Sequence, residues 1–203
     1  MEITLEDLNK AIQAGGNNWS IQNNILDEKT KFIYDVKDFN TLQLLCNTVL
    51  KKEDTRQYAY HRWVNFQSSK YCEQLFCKYG AIKADNYKDK EKDIIINSIP
   101  YDVKLTVYPA ALQQYDLSLD KEKDKLIKWL YYNQSKEGRN HYKNRVFIVC
   151  GGDTKEDRMK NKIKFLSIED GIKKWMNTGF QKMVKIKVGE AEEELYSDII
   201  YIK

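Results

Sequence analysis

Several features are missing from this 203-residue chain, and each absence removes a class of function. No apolar run approaches the ~20 residues needed to span a bilayer, so no membrane partner is expected. The first residues lack the basic-then-apolar pattern of a secretory signal, and the cytoplasm is the expected address. The four cysteines, Cys46, Cys72, Cys77 and Cys150, include no C-x-x-C pair and stand in apolar surroundings. They read as reduced core thiols, not as a zinc site or a disulfide framework. There are only two histidines, His61 and His141, and neither lies in metal-ligand spacing; His61, on an aromatic-rich helix, reads as a packing residue. Gly151-Gly152-Asp153-Thr154 lacks the Gly-Lys-Ser/Thr ending of a phosphate loop. No internal repeat or low-complexity linker interrupts the sequence.

What the chain does contain is bulk and charge. Its 14 Tyr and 4 Trp argue against disorder although 32% of residues are charged. The length suits one domain over residues 1–203 with a substantial core. Net charge is only +4, yet residues 136–187 hold 14 Lys and Arg against 6 Asp and Glu, an excess of +8. Such a segment is either an ordinary solvated face or a surface that tracks phosphates.

The apolar periodicity predicts helices over Leu5–Ala14, Thr41–Lys52, Thr55–Tyr79 and Lys121–Lys136, with Asp120 near the N-cap of the last. Leu42, Leu45, Cys46 and Val49 form one stripe; Cys72, Leu75, Phe76 and Tyr79 form another, with Glu73 at its edge. Ile127, Leu130, Tyr131 and Gln134 line one side of the Lys121–Lys136 helix. Ser167-Ile-Glu-Asp170 has the form of a capping box opening a helix that stops near Gly179. Strands are expected at Lys31–Val36, Ala81–Tyr87, Arg145–Cys150, Met183–Val188 and Leu195–Ile202. The fold class is α/β or α+β, with helix, three strands, helix, strand at its centre.

The most informative stretch runs from Asp93 to Val107. Ile94–Ile96 and Ile99–Val107 read as the two strands of a hairpin with Asn97-Ser98 as its turn. That register pairs Ile96 with Ile99, Ile95 with Pro100, Ile94 with Tyr101 and Asp93 with Asp102. Lys104 shares the face of Asp102, because side chains alternate along a strand. Two carboxylates directly opposite each other destabilise a sheet unless something cationic lies between them. A divalent metal, held by hard oxygen ligands, fits that requirement.

This order of elements, and the acids on it, resembles the PD-(D/E)XK nuclease superfamily, the fold of many restriction endonucleases. The resembling stretch runs from about Arg56 to Cys150. The resemblance implies an α/β restriction-endonuclease-like core over residues 55–150, a mixed sheet flanked by helices. Around it would lie an N-terminal helical addition, 1–54, and a C-terminal α+β addition, 151–203. It further implies that Asp93 and Asp102 hold Mg²⁺, for which Mn²⁺ could substitute, with the Val103 carbonyl as a further ligand. Glu73 would reach a second ion or a metal-bound water. Lys104 would orient the attacking water and stabilise charge on the phosphate. Being beside two carboxylates, Lys104 should stay charged and serve better as a clamp than as a base.

D-x-K occurs three times, at Asp35-Val36-Lys37, Asp102-Val103-Lys104 and Asp153-Thr154-Lys155. Only the second has a paired upstream acid and a preceding helix bearing Glu73. Lys92 precedes Asp93 where the family often has proline, and no Gln-x-x-x-Tyr follows the third strand. Arg62, Arg139 and Arg145 flank the core and could meet phosphates or simply be ion-paired. The expectation is a Mg²⁺-dependent DNA endonuclease, with a restriction enzyme as one form and a homodimer compatible with the sequence. The alternatives are a non-cutting nucleic-acid-binding or assembly protein on the same fold, and an interaction domain whose edge acids suppress strand aggregation.

Overall fold

The computed structural model describes residues 3–16, 23–84, 92–112, 120–133, 143–179, 183–188 and 193–203. The chain divides into two compact units, Met1–Tyr71 and Cys72–Lys203.

In the first unit, polar side chains start three α-helices by accepting hydrogen bonds from otherwise orphaned N–H groups. Thr4 and Asp7 form a reciprocal capping box on α1 (Leu5–Gly15), Asn23 caps α2 (Asn24–Lys29), and Asp38 caps α3 (Phe39–Val49). The long α4 (Glu53–Lys78) passes from this unit into the next. Leu8, Ala11, Ile33, Leu42, Cys46, Ala59, Trp63 and Val64 are fully buried here. His61 is buried, its Nε2 3.1 Å from the Gly16 carbonyl, and is a packing residue as read.

Two expectations fail in this unit. Lys31–Val36 is not a strand: Lys31–Tyr34 is a 3₁₀ turn, and the described residues of the unit hold no strand for it to pair with. Arg62 fixes the turn, donating to the Asp27 carbonyl at 2.6 Å, the Thr30 hydroxyl at 2.7 Å and the Tyr34 hydroxyl at 2.7 Å. Val49 is exposed on the last turn of α3, and Leu50, one residue on, is buried in its place.

The second unit is α/β. Its six-stranded mixed sheet has the order β1 (Ile82–Lys83), β2 (Ile94–Ile96), β3 (Ile99–Val107), β4 (Arg145–Cys150), β6 (Glu193–Ile202), β5 (Val184–Val188). β1, β2 and β3 form an antiparallel meander; β3, β4 and β6 are parallel; β5 closes the far edge antiparallel to β6. Three of the four expected pairs form, Ile94 opposite Tyr101, Ile95 opposite Pro100 and Ile96 opposite Ile99; the fourth, Asp93 with Asp102, is not part of the ladder, and the Asp93 N–H donates to the Tyr101 carbonyl instead. Asn97 and Ser98 both adopt positive φ, 49° and 65°, as a two-residue hairpin turn with the twist of its strands requires.

Strand register sorts the side chains onto two faces. Phe147 and Val149, with Tyr201 of β6, lie under α5 (Asp120–Asn133), where Leu126, Ile127, Leu130 and Tyr131 complete one core cluster. The other face carries Ile148, Cys150, Ile200 and Ile202, against which Gly171 of α7 (Phe165–Lys174) packs closely. Phe76 of α4 meets Trp175, just beyond α7, edge-to-face at 5.7 Å. β4 is buried at every residue, as its apolar run predicts.

The first strand of the meander is shorter than the expected 81–87, and residues 85–91 lie outside the described residues. So do Gln134, Arg139 and His141. α7 begins at Phe165, not Ser167: the preceding turn hands the chain over, with Ile168 N–H bonded to the Lys164 carbonyl, so the Ser167 capping box does not form. A capping box does form at Thr154 and Asp157, opening α6 (Lys155–Asn161), a helix the periodicity missed. The third D-x-K is thus a helix start. The C-terminal segment also does more than append to the core, since β6 lies between β4 and β5.

Candidate acidic site on the hairpin

Asp93 stands immediately before β2, where the ladder to β3 runs out. Its N–H still donates to the Tyr101 carbonyl at 2.9 Å, and its Oδ2 accepts from the Val103 N–H at 2.7 Å. The carboxylate therefore takes the place of the next ladder acceptor. Asp102 N–H points the other way, to the Asn144 carbonyl at 3.0 Å. Alternation along the backbone then turns the Val103 carbonyl, like its N–H, toward the Asp93 edge. Local chemistry thus sets Asp93, Asp102 and Val103 around one end of the hairpin.

Asp102 is 3% exposed. Burying a carboxylate costs several kcal/mol unless cations compensate, and two do. Lys104 Nζ lies 2.7 Å from Oδ1, and Arg145 Nε lies 2.5 Å from Oδ2. The Arg145 contact is charge to charge, not a directed hydrogen bond. Asp102 and Arg145 are register partners on adjacent parallel strands, so the sheet itself brings them together. Part of the positive charge that the sequence called for thus comes from the protein, on Asp102.

The acids feel one another. Burial, then the charge of Asp102, pushes the Asp93 carboxyl above its usual range, against the opposing hydrogen bond from Val103. Burial, then the charge of Asp93, raises Glu73 to about 7, with Lys83 and Lys104 pulling the other way and Asp102 adding a smaller push. Glu73 comes from the helix whose Phe76 meets Trp175, whereas Asp102 and Lys104 share a strand face with Arg145 and Phe147. It couples first to Asp93. All four predicted side chains are thus within electrostatic reach.

The donor set, three carboxylates and a carbonyl, has the hard-oxygen chemistry that Mg²⁺ takes. Among the described residues, however, no three acidic, histidine or cysteine side chains are arranged to hold an ion. Both oxygens of Asp102 are engaged by cations of the protein, Oδ1 by Lys104 and Oδ2 by Arg145.

Arg145 was one of three flanking arginines in the sequence, with ion pairing among its readings, but Asp102 as its partner was not foreseen. Its signal was an arginine heading an otherwise apolar strand run. Asp198 was missed altogether: it is 2% exposed, ion-paired to Lys123, and accepts from Trp175 Nε1 at 2.7 Å. The other two D-x-K tripeptides are not sites of this kind, since Val36 is buried with its carbonyl accepting from Trp63 Nε1, and Thr154 caps α6.

The fold and the site define an α/β protein with an acid-bearing hairpin. Comparison with models of protein families, with curated proteins and with solved structures found no match to this chain.

Proposed function

We propose that the chain is a divalent-cation-dependent phosphodiester hydrolase acting on DNA, built on a restriction-endonuclease-like core. The observation that carries this reading is Asp93 beside Asp102 with Lys104 at the end of a β-meander. The meander is itself preceded by a helix bearing Glu73 and followed by a helix and a parallel strand.

Asp93, Oδ1 of Asp102 and the Val103 carbonyl would hold Mg²⁺ or Mn²⁺. The ion supplies a positive charge that makes bound water acidic and neutralises phosphate oxygens. Lys104, half-exposed on a flexible stem, releases Asp102 and turns its ammonium toward a phosphate, where it stabilises developing negative charge. Glu73, with its carboxyl raised to about 7, holds or releases a proton near neutrality beside Asp93. Arg145 keeps the Asp102 carboxylate fixed while Lys104 moves.

A second reading, a nucleic-acid-binding or assembly protein that does not cut, draws support from the neutralisation of Asp102 by Lys104 and Arg145. Supercoiled plasmid separates the two. Under the first reading, nicking requires Mg²⁺ or Mn²⁺ and is lost in Asp93→Asn and Lys104→Ala. Retention of plasmid without nicking selects the second.

A further inference from the structure

A cavity of about 360 Å³ lies at the carboxyl ends of β4 and β6, lined among others by Asp153, Lys160, Asn161, Lys164, Tyr201 and Lys203. The length of β4, roughly 17 Å, separates it from Arg145 and the hairpin acids. α5, after β3, covers one face of the sheet, and α7, after β4, packs on the other. Connections that leave neighbouring parallel strands toward opposite faces open a crevice at their carboxyl ends, where α/β proteins take small ligands. The walls are held in place. The Gly151 N–H donates to the Ile202 carbonyl at 2.7 Å, and a Cβ there would lie 2.0 Å from the Tyr201 hydroxyl oxygen, so the missing side chain makes room for it. Gly152 has φ 146°, and a Cβ on it would lie 2.8 Å from Asp157 Cβ, so α6 starts hard against the turn. Two side chains tie α6 to that turn. Arg158 Nε donates to the Gly152 carbonyl at 2.8 Å, and Asn161, 3% exposed, donates from Nδ2 to the Gly151 carbonyl at 2.7 Å.

Charge decides what such a cavity holds. Asp157 is spent on the α6 cap, accepting from the Thr154 N–H and hydroxyl, and Lys160 is paired with Glu156. Among the described residues no carboxylate side chain pairs with Lys164 or Lys203, so two cations of the lining face the single acid Asp153. The surroundings add to the excess: residues 155–164 carry five Lys and Arg against two Asp and Glu. One of them, Lys162, is buried; burial lowers its amine to about 8, which leaves it mostly charged at neutral pH. We infer that this cavity binds a small phosphate monoester, its phosphate seated between the Lys164 and Lys203 ammonium groups. A monoester phosphate carries about 1.5 to 2 negative charges at neutral pH, against one for a nucleic-acid diester, and two ammonium groups match the former. The inference rests on the cavity and its charges and is independent of the acidic hairpin.

Amide NMR of the full chain, titrated with methyl phosphate and in parallel with dimethyl phosphate, tests it. Methyl phosphate should shift the amides of Gly151, Gly152, Asn161 and Lys164 saturably. It should bind about tenfold more tightly than dimethyl phosphate, which lacks the second charge. Lys164→Gln combined with Lys203→Gln should weaken methyl phosphate about tenfold or more. Lys121→Gln combined with Lys125→Gln removes the same charge from α5 and should change the affinity less than about twofold, because screening confines the effect of exposed charges to their neighbourhood. A short DNA duplex should not displace methyl phosphate. The inference is overturned by unsaturable or absent shifts in the wild type, by equal affinity for the two esters, by equal losses in the two double variants, or by displacement with the duplex. Any of these results leaves the hydrolase reading standing.

Discussion

Glu73 offers a quantitative handle on the site that needs neither metal nor substrate. Its carboxyl moves from 4.5 to about 7 on folding, mainly through burial and next through the charge of Asp93. A carboxyl raised in the folded state binds its proton more tightly there than in the unfolded chain. Below about pH 4.5 both states are protonated and no penalty exists. Between 4.5 and 7 the unfolded chain ionises first, so stability falls as pH rises; above 7 the penalty is complete. The shift corresponds to about 3 kcal/mol, an upper value because the group is partly solvated. Glu73→Gln keeps the size and removes the charge. In EDTA, urea denaturation should show the variant gaining about 2–3 kcal/mol over wild type at pH 8 and nearly nothing at pH 4.5. Added Mn²⁺ should shrink the gain, since a cation offsets the same repulsion. An equal difference at both pH values would refute the electrostatic coupling of Glu73 to the hairpin acids.

Two other substitutions test the frame around the site. Asp198→Ala strands Lys123 and Trp175 Nε1 and should cost about 3–5 kcal/mol, read as a fall in Tm of roughly 6–20 °C. Thr154→Ala removes the cap of α6 and should cost about 1 kcal/mol by urea denaturation, while Asp153→Ala costs almost nothing. That contrast would mark the third D-x-K as a helix start.

The hairpin was legible because its rules are local. β-branched runs flank Asn97-Ser98, and a two-residue turn fixes the register from Ile96–Ile99 to Ile94–Tyr101. The buried strand Arg145–Cys150 and the final pair of strands were legible for the same reason. The Lys31–Val36 error shows the limit: a short apolar run reads alike as strand or tight turn, and only Arg62, distant in sequence, decides between them. The charge balance of the site was illegible for a related reason. Repulsion between Asp93 and Asp102 demands a cation. That Arg145 supplies one depends on β4 lying parallel to β3 with residue 145 opposite 102, a long-range pairing that no local pattern encodes.

The most direct measurement is anomalous diffraction from crystals of the protein grown with Mn²⁺. The account predicts one strong peak bounded by Asp93, Oδ1 of Asp102 and the Val103 carbonyl, with Lys104 swung away and Arg145 unmoved on Oδ2. An empty hairpin with the Lys104–Asp102 pair intact at saturating Mn²⁺ would contradict it.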